Sequence, residues 1–306
     1  MATKRHKSVA MPSNCVLFVA VPLFRSVDMK KFFVISMTLL IVLILVLPVQ
    51  SQAQDRVRSV NVGGTPLVPD NLVNGPVPRL PDGKPDLTGP WMGGGSNADM
   101  EREGGLKPGE LPLLPWAKEL RDKRKEEDEP YTACLPMSVP RVNPYPWKFA
   151  MSYTSKGLTY IYILHETGDA GAHRVVYMDG RKHPDDLLPT WWGHSIGSWE
   201  GDTLVIDTVG YNDKFWFDSR GTPHTQKLHT IERWNRINYG TLVNDFTLDD
   251  PGAFSKPVHL KFTAKLMRPD LDLMEFICLE NNQVGQAGGY VPGTGTSNTV
   301  DPKTNK

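Results

Sequence analysis

Cysteine is scarce, with three residues in 306, which excludes a small scaffold built on disulfides. Net charge is missing too: 34 basic side chains face 34 acidic ones. That balance excludes a strongly basic nucleic-acid binder and an acidic disordered tail. No apolar run reaches the roughly 20 residues of a spanning helix. The longest, Phe32–Leu47, has 16. The 27 glycines and 26 prolines follow no fixed repeat, so the chain is not collagen-like.

What is present divides the chain. Met29-Lys30-Lys31, the apolar run, Pro48 and then Ser51-Gln52-Ala53 have the order of a secretory signal peptide. Residues 1–28 read as an upstream extension and 29–53 as the signal, with cleavage after Ala53. Cleavage leaves 253 residues with 28 basic and 33 acidic side chains, a net charge of −5. The expected location is secreted or periplasmic, with no stable membrane anchor after cleavage and no nucleic acid as partner. Cys15 leaves with the presequence, so Cys134 and Cys278 are expected to form one disulfide.

Residues 54–146 form a Pro/Gly-rich arm that excludes a long helix or a central strand, because proline lacks the N–H and fixes φ. Its exception is a short helix near 115–129, with Pro115 in the first turn. Beyond Trp147, short alternating runs predict strands at 148–154, 158–166, 174–179, 194–200, 203–209, 226–236, 242–249, 258–267 and 273–280. Lys156-Gly157, Glu200-Gly201-Asp202 and Tyr239-Gly240 read as hairpin turns. The fold class is therefore all-β: an antiparallel meander over 147–282, closing as a lipocalin-like barrel or a sandwich, with the extended arm lying across it. Residues 283–306 read as a flexible tail. Gly89-Pro90-Trp91 and Gly197-Ser198-Trp199 both match the G-x-W that opens many lipocalin barrels.

Candidate chemistry gathers on the loops 179–192 and 211–223 and on the strand that follows them. That strand carries His229, Ile231 and Arg233 on one face and Thr230, Glu232 and Trp234 on the other, so either inward face brings a titratable group with it. A buried charge must be paired or functional, and a structural Glu–Arg pair with His229 at the sheet rim is one of the two readings. The expected ligand-binding set is Trp191, Trp192, His194, Asp213, Trp216, Arg233 and Trp234: aromatic faces with a few polar anchors, suited to a small molecule, an oligosaccharide or a phenolic. The alternative is an enzyme on the same site, with His229, Glu232 and His224 as acid–base groups. His194, His224 and His229 would be the ligands if a transition metal is the cofactor. A third reading is a structural envelope protein. Gly193-His194-Ser195-Ile196-Gly197 matches G-x-S-x-G, but no strand–helix context surrounds it.

The segments Pro85-Asp86-Leu87-Thr88-Gly89, Trp199-Glu200-Gly201-Asp202-Thr203-Leu204-Val205-Ile206-Asp207-Thr208, Leu228-His229-Thr230-Ile231-Glu232-Arg233 and Asp249-Asp250-Pro251-Gly252-Ala253 resemble a family of exported bacterial proteins common in acidobacteria and environmental sequence sets. The resemblance covers most of 80–282. It implies an exported β-rich domain and brings no catalytic residues with it.

Overall fold

The computed structural model describes residues 67–143, 145–167 and 173–278. The expected signal peptide, its expected cleavage site and the expected tail at 283–306 lie outside the described residues.

Nine strands form one closed barrel in chain order. They are β1 (Trp91–Gly93), β2 (Trp147–Thr154), β3 (Gly157–His165), β4 (His173–Tyr177), β5 (His194–Glu200), β6 (Thr203–Val209), β7 (His229–Asn238), β8 (Thr241–Asp249) and β9 (Val258–Leu266). The three turns expected from sequence join β2 to β3, β5 to β6 and β7 to β8. Gly157 and Gly201 take the positive φ that their tight turns require. The last strand has the cleanest period: Val258, Leu260, Phe262, Ala264 and Leu266 are buried, while their neighbours are exposed.

Two features depart from the expected meander. The pair β4–β5 is parallel and is held by only two residue pairs, Val176↔Ser195 and Tyr177↔Ile196. Parallel neighbours need a crossover, and residues 178–193 supply it. The second departure is the ninth strand. Residues 271–277 form no strand, and Met274, Phe276 and Ile277 are exposed. The closing strand comes instead from the proline-rich arm: β1 pairs with β9 over Trp91–Gly93 and with β2 at Trp91↔Trp147. Three residues after Pro90, ending on the first of three consecutive glycines, suffice to close the wall.

Among the described residues the rest of the arm carries three short α-helices, α1 (Asp70–Val73), α2 (Met100–Glu103) and α3 (Pro115–Lys123). The third, with Pro115 in its first turn, is shorter than the 115–129 expected; a 3-10 turn at Glu126–Asp128 follows it. A disulfide joins Cys134 to Cys278 with Cα atoms 5.6 Å apart. Among the described residues no helix is long and apolar enough to cross a membrane.

The barrel closes at one end around Trp91, which opens β1 in the first of the two G-x-W triplets and is fully buried. Its Nε1 donates to the Leu87 carbonyl (2.8 Å), and the Arg236 guanidinium lies 5.0 Å from its ring. Arg236 also donates to the Asp86 and Tyr239 carbonyls, both at 2.5 Å. A buried planar cation with these acceptors and an aromatic face is well satisfied. Around this end pack Trp147, Phe149, Ile161, Ile163, Leu204, Ile206, Trp234 and Leu242. A second apolar cluster, with Tyr211, Phe215, Phe217, Phe246, Leu248, Phe254 and Phe262, joins β8 and β9 to the arm and to the loop 211–223.

Candidate ligand site

Between the two apolar clusters the barrel interior is polar. Three strands carry a hydrophilic residue in phase with buried apolar ones: His165 after Ile161 and Ile163, Arg174 beside Val176, and Asn244 between Leu242 and Phe246. On β7 the face that turns inward is Thr230, Glu232, Trp234 and Arg236, all buried. Glu232 sits in register with Ile206 on one side and Phe246 on the other, and Asn244 with Trp234 and Phe262.

The central pair is Arg174 Nη1 to Glu232 Oε1 at 2.7 Å, both side chains 1% exposed. Glu232 Oε2 also accepts from Trp234 Nε1 at 3.1 Å. Burial works against the Arg174 charge, but Glu232 and Tyr211 together outweigh it and hold the guanidinium above its ordinary pKa. Burial pushes the Tyr211 phenol up to about 12, so it remains an O–H group, 2.8 Å from Thr230 Oγ1. Ser195 and Thr208 share a hydrogen bond of 2.8 Å. Burial first, and then the Arg174 charge, depress His165 to about 3. It is a neutral imidazole at any physiological pH.

Aromatic rings wall this interior. Trp147 and Trp234 are 5.0 Å apart, Trp147 and His165 6.5 Å, and Trp192 stacks on His165 at 5.3 Å with its plane tilted by 5°. Apart from atoms of the Arg174–Glu232 ion pair, five buried polar atoms here, all on neutral side chains, have no hydrogen-bond partner among the described residues: Nδ1 and Nε2 of His165, Nε1 of Trp192, and both amide atoms of Asn244. Each such atom costs about 1–3 kcal/mol when desolvated and unpaired. Buried polar groups in native interiors are hydrogen-bonded as a rule, so this cluster sets the interior apart from the apolar layers on either side.

The residues expected from sequence to form one site lie in three places. Glu232, Trp234 and Trp192 line the interior. His194 and His229 stand on the outer wall, where His229 Nε2 is 2.8 Å from Asp207 Oδ1. His229 and Glu232 lie on opposite faces of β7, an odd number of residues apart, so they cannot serve one acid–base site. Arg233 is half-buried on the outward face of β7 and pairs with Glu200 at 2.6 Å. The buried Glu–Arg pair thus exists, with Arg174 in the place expected of Arg233. Trp216 is buried under the Arg124 guanidinium at 4.7 Å, and His224 is buried against Phe215 (3.9 Å) and Phe217 (4.9 Å). Burial depresses His224 to about 4. Asp213 is buried in the same loop region, and Trp191 packs partly buried on that cluster.

The metal trio is corrected by this placement, since phenylalanine rings hold His224 away from the outer wall. Among the described residues, no group of three or more His, Cys, Asp or Glu side chains is disposed to hold a metal ion. Ser195, of the G-x-S-x-G match, lies fully buried within strand β5 and is bonded to Thr208, so it is no exposed nucleophile. His165, Arg174, Tyr211 and Asn244 were missed from sequence. Their signal was present in three of them as a polar residue at an inward position of an apolar-alternating strand.

Fold and interior together define the class: a closed, lipocalin-like β-barrel with a polar band between two apolar layers. The chain matches no family model, no curated protein and no solved structure.

Proposed function

We propose that the protein is an exported binding protein that holds one uncharged, ring-bearing small molecule inside its barrel. The observation that carries this reading is the set of unpartnered buried atoms on His165, Trp192 and Asn244, set among tryptophan faces. These groups offer both donors and acceptors, and all are neutral. The charges nearby, on Arg174 and Glu232, already neutralise each other. An ionised ligand would arrive without a counter-charge and lose its hydration. An uncharged phenolic or sugar ring would instead stack on indole and satisfy the orphan atoms.

Export is supported by the signal-like order of residues 29–53 and by the disulfide, a bond of oxidising compartments. A titration of the mature protein with 4-hydroxybenzyl alcohol and with cellobiose, followed by tryptophan emission excited at 295 nm, tests the reading. One probe is expected to give a saturable, one-site change that weakens about tenfold in Asn244→Leu, equivalent to one lost hydrogen bond of about 1.4 kcal/mol. Flat titrations with both probes contradict it.

A further inference from the structure

Arg174 carries more hydrogen-bonding capacity than its partner uses. It projects inward from β4 and meets Glu232 of β7, with β5 and β6 between them on the wall. The contact runs from Nη1 to Glu232 Oε1 at 2.7 Å, while the second carboxylate oxygen accepts from Trp234 Nε1. Nε and Nη2 have no hydrogen-bond partner among the described residues, on a side chain that is 1% exposed. Tyr211 adjoins the guanidinium, but its oxygen is bonded to Thr230 Oγ1 at 2.8 Å. In the planar guanidinium, Nε and Nη2 form the edge opposite Nη1, and their N–H bonds run parallel as a fork for oxygen acceptors.

Rings stand beside this edge. Arg174 lies opposite Ile163 on β3, which places it diagonally across from His165 on the same inward face. Trp192 stacks on His165 at 5.3 Å. An indole, a neutral imidazole and an unfilled guanidinium edge thus share one stretch of the interior.

Charge and protons narrow the acceptor. Arg174 and Glu232 sum to zero, so a carboxylate or phosphate would bring an uncompensated negative charge beside Glu232. A hydroxyl oxygen accepts, but its own proton then needs an acceptor. A carbonyl oxygen is neutral, carries two lone pairs and has no proton, so it can receive both N–H groups at once.

We propose that the bound molecule presents a carbonyl oxygen, as a ketone, ester or amide on its ring, to the Nε–Nη2 edge of Arg174. This assignment rests on the binding reading above and makes Arg174 the residue that selects among ring compounds. Glu232 is then a positioning residue, which holds the guanidinium charged and in place. His165, Trp192 and Asn244 receive the ring and its other polar groups.

Isothermal titration of the mature protein at pH 7 with 4-hydroxyacetophenone, 4-ethylphenol and 4-hydroxybenzoate tests the assignment. The first two differ only by a carbonyl oxygen in place of two hydrogens. The ketone is expected to bind at least about tenfold tighter than 4-ethylphenol, as a hydrogen bond to a charged donor implies. It should also bind tighter than the carboxylate. In Arg174→Met/Glu232→Leu, checked for folding by circular dichroism, the preference for the ketone should shrink to within about threefold, because this cycle isolates the carbonyl–guanidinium contact. Equal wild-type affinities for ketone and 4-ethylphenol overturn the proposal and leave the binding reading intact. So does a preference that survives in the folded double variant. If that variant does not fold, the wild-type comparison decides alone. Tightest binding by 4-hydroxybenzoate overturns the neutral carbonyl. Flat titrations with all three overturn the proposal, and the binding reading falls with it only if 4-hydroxybenzyl alcohol and cellobiose are flat as well.

Discussion

Replacing Glu232 with alanine would leave the Arg174 guanidinium, 1% exposed, without its counter-charge. Breaking a buried pair from one side costs about 3–5 kcal/mol. The Trp234 N–H loses its acceptor as well, but the two effects share one side chain and do not add in full. We take about 4 kcal/mol, which for a chain of this size lowers Tm by roughly 8–16 °C. The double variant Glu232→Leu/Arg174→Met removes both charges, and such replacements are often neutral. It should retain only the orphaned indole N–H, about 1–3 kcal/mol. Urea unfolding at pH 7, followed by circular dichroism and tryptophan emission, measures both. A single variant that loses less than about 1 kcal/mol would refute the reasoning; so would a double variant no more stable than the single.

Three further outcomes follow from the same structure. The Cys134–Cys278 bridge spans 144 residues, so Cys134→Ser/Cys278→Ser should lose up to about 5 kcal/mol by loop entropy; two reactive thiols in the oxidised protein would contradict the bridge. The unfolded chain protonates His165 and His224 near pH 6.5, whereas the folded chain resists until about 3 and about 4. Stability should therefore fall as pH drops below that of the free imidazole, by up to about 1.4 kcal/mol per pH unit for each histidine. His165→Phe should remove one share of that slope, and an unchanged slope in urea titrations from pH 7 to 4 would count against it. Arg236→Ala should cost about 2–3 kcal/mol through lost charged hydrogen bonds and ring contact. Lysine should not rescue it, because it cannot reproduce the planar fork; full thermal stability of Arg236→Lys would contradict that role.

Most of the barrel was legible because period-two alternation reports burial directly, as in Val258–Leu266. The closing strand was not. Proline dominates the arm, and a three-residue strand after Pro90 is too short to show a period. The stretch 273–280 alternates in sequence, yet 271–277 form no strand, because β1 already occupies the edge beside β9. The parallel seam was hidden because a crossover of 178–193 looks like any long loop. At the site, the inward face of β7 could not be chosen from β7 alone. Arg174, its partner from β4, settles the choice, since the pair stabilises Glu232 inside. Loop aromatics misled for the opposite reason: Trp216 is buried under Arg124, and His224 is buried against Phe215 and Phe217.

Native mass spectrometry of the mature protein, isolated from the export compartment without a denaturing step, tests the central claim most directly. The account predicts a bound, uncharged organic molecule at one per barrel, reduced or absent in Asn244→Leu and Trp192→Ala proteins that remain folded. A wild-type protein that carries no organic adduct, even after incubation with 4-hydroxybenzyl alcohol and cellobiose, would contradict it.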